Sequence, residues 1–108
     1  MFHFVYVFDS VNHDRFYVGY YPEDLQRRVA KHNRGEVFST KAYGPWELIF
    51  YEAYLNNNDA FRREKYLKTS QGMKMLKFML KEYRQEKTNR ILLPGEPRRV
   101  VKFDREAI

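Results

Sequence analysis

The chain contains no cysteine, which excludes a disulfide framework, a thiol nucleophile and any thiolate-bound zinc or iron–sulfur centre. Its three histidines, His3, His13 and His32, are too dispersed to replace those ligands. No apolar run approaches the ~20 residues of a membrane span, and the opening Met-Phe-His-Phe-Val-Tyr-Val reaches Asp9 too soon for a secretory leader. These absences lead us to expect a soluble protein of the cytoplasm, with no membrane partner. Acidic residues are also in short supply: 14 Asp and Glu face 20 Lys and Arg, leaving a formal charge of +6. A polyanionic partner is the first class of ligand that such a balance suggests. Internal repeats and low-complexity segments are missing as well.

At 108 residues the chain has the length of one domain. Hydrophobic residues make up 44%, among them nine Tyr, nine Phe and one Trp, enough apolar surface to offset the entropy of ordering. Residues 2–8 are β-branched or aromatic except His3, residues 9–14 are mostly turn formers, and 15–21 repeat the apolar character, which predicts a β-hairpin. Both strands are apolar on both faces, so the sheet should be covered by helices. Pro22, at a first-turn position, with Glu23 and Asp24, opens a helix that Asn33-Arg34-Gly35 ends. Residues 34–45 read as a loop leading to a third strand, Trp46 to Tyr54. Asn56 to Asp59 offer helix caps before a short helix that Gly72 terminates. Met73, Leu76, Met79, Leu80 and Tyr83 recur at helical spacing, predicting one amphipathic helix from 73 to about 87. Pro94-Gly95-Glu96-Pro97 then breaks the pattern. The expectation is an α+β domain over residues 1–87 and an extension over 88–108, able to hold an edge strand, a basic arm or a contact with a second copy.

Charge is uneven. Residues 60–87 hold nine basic and three acidic side chains, which reads either as a solvated helical face or as a track for a phosphate backbone. Tyr6 and Tyr17 fall on adjoining strands, where an aromatic pair is ordinarily structural. Gly19 qualifies that reading, because a glycine in a strand leaves room for a close approach by backbone or ligand. Arg28 and His32 stand four apart on one helical face, so a fixed cation and a titratable imidazole can address the same atom; a solvated surface pair is the alternative. Arg27 points about 100° away from Arg28 and is the weaker candidate. Glu64 stands among Arg62, Arg63, Lys65 and Lys68, where it either balances its neighbours or holds a divalent cation against phosphate.

Val5-Tyr6-Val7, Phe16-Tyr17-Val18-Gly19 and the segment from Asp24 to Asn33 together resemble the GIY-YIG nuclease family. Gly44-Pro45-Trp46-Glu47-Leu48 to Tyr51-Glu52, and Ala60 to Lys68, resemble the later blocks of its small single-domain bacterial branch. The likeness spans residues 2–83 and extends to the nuclease domain of an excision-repair subunit. It implies a three-stranded antiparallel sheet flanked by helices, and hydrolysis of DNA phosphodiesters, in repair or processing, with Mg²⁺ or Mn²⁺. On this resemblance Tyr6, Tyr17, Arg28 and His32 are catalytic and Glu64 binds the metal, while Gly19 and Lys68 bind substrate. Two departures stand out: Val5 and Val7 replace the residues that flank the first motif tyrosine, and Tyr20 occupies a place where many relatives carry Lys, Thr or Ser. Tyr20 keeps alive a rival reading, a noncatalytic nucleic-acid-binding module on the same fold. A protein-interaction domain using surface aromatics is a third.

Overall fold

The computed structural model of the chain describes residues 1–36 and 38–92. Strands β1 (His3–Ser10), β2 (Phe16–Tyr21) and β3 (Trp46–Tyr54) form an antiparallel sheet in the order β2-β1-β3. Helix α1 (Leu25–Asn33) follows β2, and a short 3-10 segment, Phe38–Tyr43, precedes β3. Helices α2 (Asn57–Leu67), α3 (Ser70–Met79) and α4 (Lys81–Leu92) complete the described chain. This is the α+β architecture anticipated from the sequence.

The two-sided hydrophobicity of the strands has its counterpart in two cores. Val5, Val7 and Val18 pack with Ala60, Leu67 and Leu76 of α2 and α3 on one face. On the other, Tyr6 and Phe8 pack with Leu25 of α1 and Trp46, flanked by Tyr17, Tyr21 and Tyr51. Successive side chains of a strand point to opposite faces, so alternate residues of β1 supply alternate cores. As the central strand, β1 is fully buried from Val5 to Asp9. A register shift between Val7 and Phe8 lets Phe8 face Leu48 across the sheet.

Several boundaries differ from expectation. Asp24, not Pro22, opens α1, its side chain accepting from the Gln26 amide at 2.9 Å. Asn33 does more than end α1: its side-chain amide exchanges hydrogen bonds with the Trp46 backbone at 2.6 and 3.1 Å and docks the helix on β3. Gly72 is not a stop signal but lies inside α3, where a Cβ would fall 1.9 Å from the Tyr66 carbonyl oxygen. Its role is close packing of α3 on α2, and Thr69 caps α3 by accepting from the Gly72 amide. The single helix expected over 73–87 is interrupted at Leu80, whose φ of −107° and ψ of 26° leave the helical region.

That interruption re-aims the chain toward a polar anchor. Asp9 is fully buried at the end of β1. It accepts from the Tyr83 hydroxyl at 2.6 Å and from Lys87 Nζ at 2.9 Å. Lys87 also donates to the carbonyls of Ser10 and His13, so its three donors meet a set of partners on the hairpin. Helix α4 continues to Leu92; the segment around Val100 where an edge strand was considered lies outside the described residues. Among the described residues no helix is long and apolar enough to cross a membrane.

Candidate active site

The strand register fixes the central feature. Tyr6 stands directly opposite Gly19, and Phe8 opposite Tyr17. A Cβ on Gly19 would lie 2.3 Å from the Tyr6 hydroxyl oxygen. The space left by the missing side chain is therefore filled by the protein's own phenol, and Gly19 acts on the site by letting Tyr6 lie flat across β2. Strand β2 is at the edge of the sheet, and the Tyr6 side chain, fully buried, lies over it.

Helix α1 brings two side chains to that hydroxyl, as the four-residue spacing anticipates. Arg28 Nε donates to the Tyr6 oxygen at 3.0 Å, and His32 Nε2 lies 3.3 Å from it. The His32 tautomer sets which of the two, phenol or imidazole, donates in their contact. Tyr17 completes the group, its ring centroid 6.3 Å from that of Tyr6 and 5.2 Å from that of His32. Tyr6, Tyr17, Arg28 and His32 thus converge on one face.

Their electrostatics are set first by burial. Burial pushes the Tyr6 hydroxyl up to about 12, outweighing the contact with Arg28, while Tyr17 and Glu64 add to the rise. His32 is pushed down to about 4, first by burial and then by the Arg28 charge. In the free protein near neutral pH both are uncharged. Arg28 is held above its ordinary range: burial opposes its charge, but the oxygens of Tyr6, Tyr17 and Tyr21 outweigh that penalty.

Glu64 stands apart from this cluster. It lies four residues after Ala60 and three before Leu67, both buried in the core on the opposite face, so it belongs to the inward stripe of α2. Its charge is nevertheless felt at Tyr6. Glu64 is partly exposed and pairs with the half-exposed Lys68 at 3.5 Å.

Among the described residues no group of three or more His, Cys, Asp or Glu could cage a metal ion. A lone carboxylate held by one flexible lysine suits a different kind of cation site. Mg²⁺ keeps several waters and takes one or two carboxylates plus phosphate oxygens from its substrate. The donor set fits that mode.

Two participants carried no sequence signal of their own. Phe8 sets its ring edge-on to His32 at 4.7 Å and walls it from solvent. Tyr21 lies beneath Arg28, whose guanidinium carbon is 5.1 Å from the ring centroid. Both follow from strand alternation, since Phe8 shares a face with Tyr6, and Tyr21 shares one with Tyr17 and Gly19. Tyr20, by contrast, belongs to the other face: it packs against Phe61 at 4.4 Å and bonds His3 Nδ1 through its hydroxyl at 2.7 Å.

Fold and cluster place the molecule among small α+β domains that gather phenols, a guanidinium and an imidazole on one face of an antiparallel sheet. Residues 2–76 match the family model of the GIY-YIG catalytic domain. The chain belongs to that family, and through it to a nuclease superfamily whose substrates are nucleic acids. UPF0213 proteins of Staphylococcus epidermidis and Staphylococcus aureus are each 37% identical to it over 78 residues, covering 71% of this chain and 93% of theirs. The solution NMR structure of a UPF0213 protein from Bacillus halodurans is 31% identical, covers 82% of this chain and 94% of its own, and gives a TM-score of 0.47.

Proposed function

We propose that this protein is a divalent-metal-dependent DNA endonuclease of the cytoplasm, acting in repair or processing, with Tyr6 at the centre of its reaction. The observation that carries the reading is the Tyr6 hydroxyl, held between Arg28 Nε and His32 Nε2 at 3.0 and 3.3 Å. A core tyrosine needs one partner for its hydroxyl; this one has a cation on one side, an imidazole on the other and a carboxylate within electrostatic reach.

The residues divide the work of phosphodiester hydrolysis. Arg28 meets the scissile phosphate and offsets the charge that grows on its equatorial oxygens. The Tyr6 oxygen, already accepting from Arg28, has a second lone pair with which to orient the attacking water. As the water proton passes to that oxygen, the phenol's own proton moves to His32 Nε2, so no free phenolate is required. A phosphate anion against Arg28 cancels part of the field that depresses His32, and this raises the imidazole's basicity when substrate is bound. Tyr17 flanks both groups and positions the water or the phosphate. Glu64 would hold Mg²⁺ or Mn²⁺, which when bound supplies charge stabilisation to the departing 3′ oxygen. Lys68, paired with Glu64, contacts the substrate backbone in this reading.

The noncatalytic alternative drew its support from Tyr20. In the fold that side chain is engaged with His3 and Phe61 on the face opposite Tyr6, and it does not obstruct the cluster. The reading is tested by incubating the protein with branched, flapped, single-stranded and supercoiled DNA in Mg²⁺, Mn²⁺ or EDTA, beside a Glu64→Gln variant. Cleavage that requires metal and is lost in Glu64→Gln, with salt-sensitive binding retained, is the expected result. DNA bound by the wild type but cut under none of these conditions would transfer the conclusion to the binding module.

A further inference from the structure

Basic residues concentrate in 60–87, but the fold neutralises several of them internally. Arg62 pairs with Asp59, Arg63 with Glu52, Lys68 with Glu64 and Lys87 with Asp9. Lys65, Lys74, Lys77, Lys81 and Arg84 are left without a carboxylate partner among the described residues, and helix α1, which carries Arg28 and His32, adds cations of the same kind. Arg27, Lys31 and Arg34 follow one another at intervals of four and three, which puts them on one stripe, and all three are exposed. Arg34 is paired with Glu36. Among the described residues Arg27 and Lys31 have no carboxylate partner. Together with Tyr21, Glu23 and Ala30, the stripe lines an open groove of about 430 Å³.

The groove leads to the site. Tyr21 forms part of its wall and also lies under the Arg28 guanidinium at 5.1 Å. A strand whose scissile phosphate rests on Arg28 can therefore continue past Tyr21 onto the stripe. From Arg27 to Arg34 the helix rises about 10 Å at 1.5 Å per residue. That length accommodates about three nucleotides at roughly 3.4 Å of rise per nucleotide of a strand.

Resting on the nuclease reading above, we infer that this α1 groove is the substrate track: Arg27 and Lys31 bind the phosphates next to the scissile one on the cleaved DNA strand. The contacts are to the backbone alone, so they confer affinity and register without base preference. Glu23 is the only carboxylate lining the described groove and opposes the phosphates there.

The test is binding of a fluorescently labelled single-stranded DNA oligonucleotide, followed by anisotropy in EDTA across a salt series. Wild type is compared with Arg27→Gln/Lys31→Gln, with a charge-matched Lys74→Gln/Lys77→Gln control on α3, and with Glu23→Gln. Loss of two phosphate contacts should flatten the slope of log K against log salt by about 1.4 and weaken binding about tenfold or more. The α3 control should change the slope far less, and Glu23→Gln should bind several-fold tighter. Equal flattening in both double variants, or an unchanged slope in Arg27→Gln/Lys31→Gln, would overturn the groove while leaving the nuclease reading intact. A wild-type protein that binds no DNA at low salt would overturn both.

Discussion

Gly19 and His32 are the residues at which the geometry makes its sharpest demands. A methyl group at Gly19 must displace the Tyr6 phenol, whose oxygen lies 2.3 Å from where that carbon would sit. Displacements of about 1 Å in a reacting group can cost about 10²-fold in rate. Gly19→Ala is therefore expected to keep its circular dichroism spectrum and lose about two orders of magnitude in cleavage rate. Unimpaired cleavage would show that the phenol's pose is dispensable. His32 is 1% exposed and pushed down to about 4. Its folded state binds fewer protons than the unfolded chain between that value and its ordinary 6.5, so its contribution to stability falls as pH drops through this window. Wild type should lose about 2–3 kcal/mol more than His32→Gln between pH 7.5 and 4.5 in urea titrations. Equal acid sensitivity in the two proteins would mean that His32 is not buried in its neutral form.

At the scale of elements, the Asp9–Lys87–Tyr83 anchor decides where α4 goes. Removing one member of a buried ion pair costs about 3–5 kcal/mol, because the other is left charged and unpaired. Lys87→Met should destabilise by that amount in chemical denaturation, and a concurrent Asp9→Asn should recover part of it. Additive losses would indicate that the two residues do not act as a pair. The three strands and the cap at Asn56 were legible because β-branched runs and short polar side chains act locally. The anchor was not. Asp9 resembles any turn-forming residue beside Ser10, and its partners are 74 and 78 positions away in the chain. Hydrophobic periodicity also continues across the interruption at Leu80, so the pattern that suggested one helix carries no mark of the break. Gly72 misleads for a related reason: its pressure comes from the Tyr66 carbonyl on a different helix.

For the molecule as a whole, the question is how the sheet distributes charged groups between its two faces. Tyr6, Tyr17, Arg28 and His32 were legible from strand pairing and helical spacing, and they meet on the α1 face. Glu64 could be singled out as an acid among bases, but its pairing with Lys68 and its electrostatic effect on Tyr6 from the helix on the other face are products of the fold. The distribution of unpaired cations is likewise a property of the fold: ion pairs engage four of the nine bases in 60–87, while Arg27 and Lys31 on α1, outside the stretch that composition singles out, have no carboxylate partner among the described residues. Association should be governed by these charges, so wild-type affinity for DNA should fall steeply between 50 and 200 mM salt. Affinity insensitive to salt would speak against backbone recognition.

The most direct test of the account is single-turnover cleavage by Tyr6→Phe, which deletes one oxygen and leaves the buried ring in place. The prediction is a rate at least about 100-fold below wild type, with DNA affinity unchanged in anisotropy and a folded protein whose stability falls by only about 1–3 kcal/mol. A Tyr6→Phe protein that cuts at the wild-type rate would contradict it.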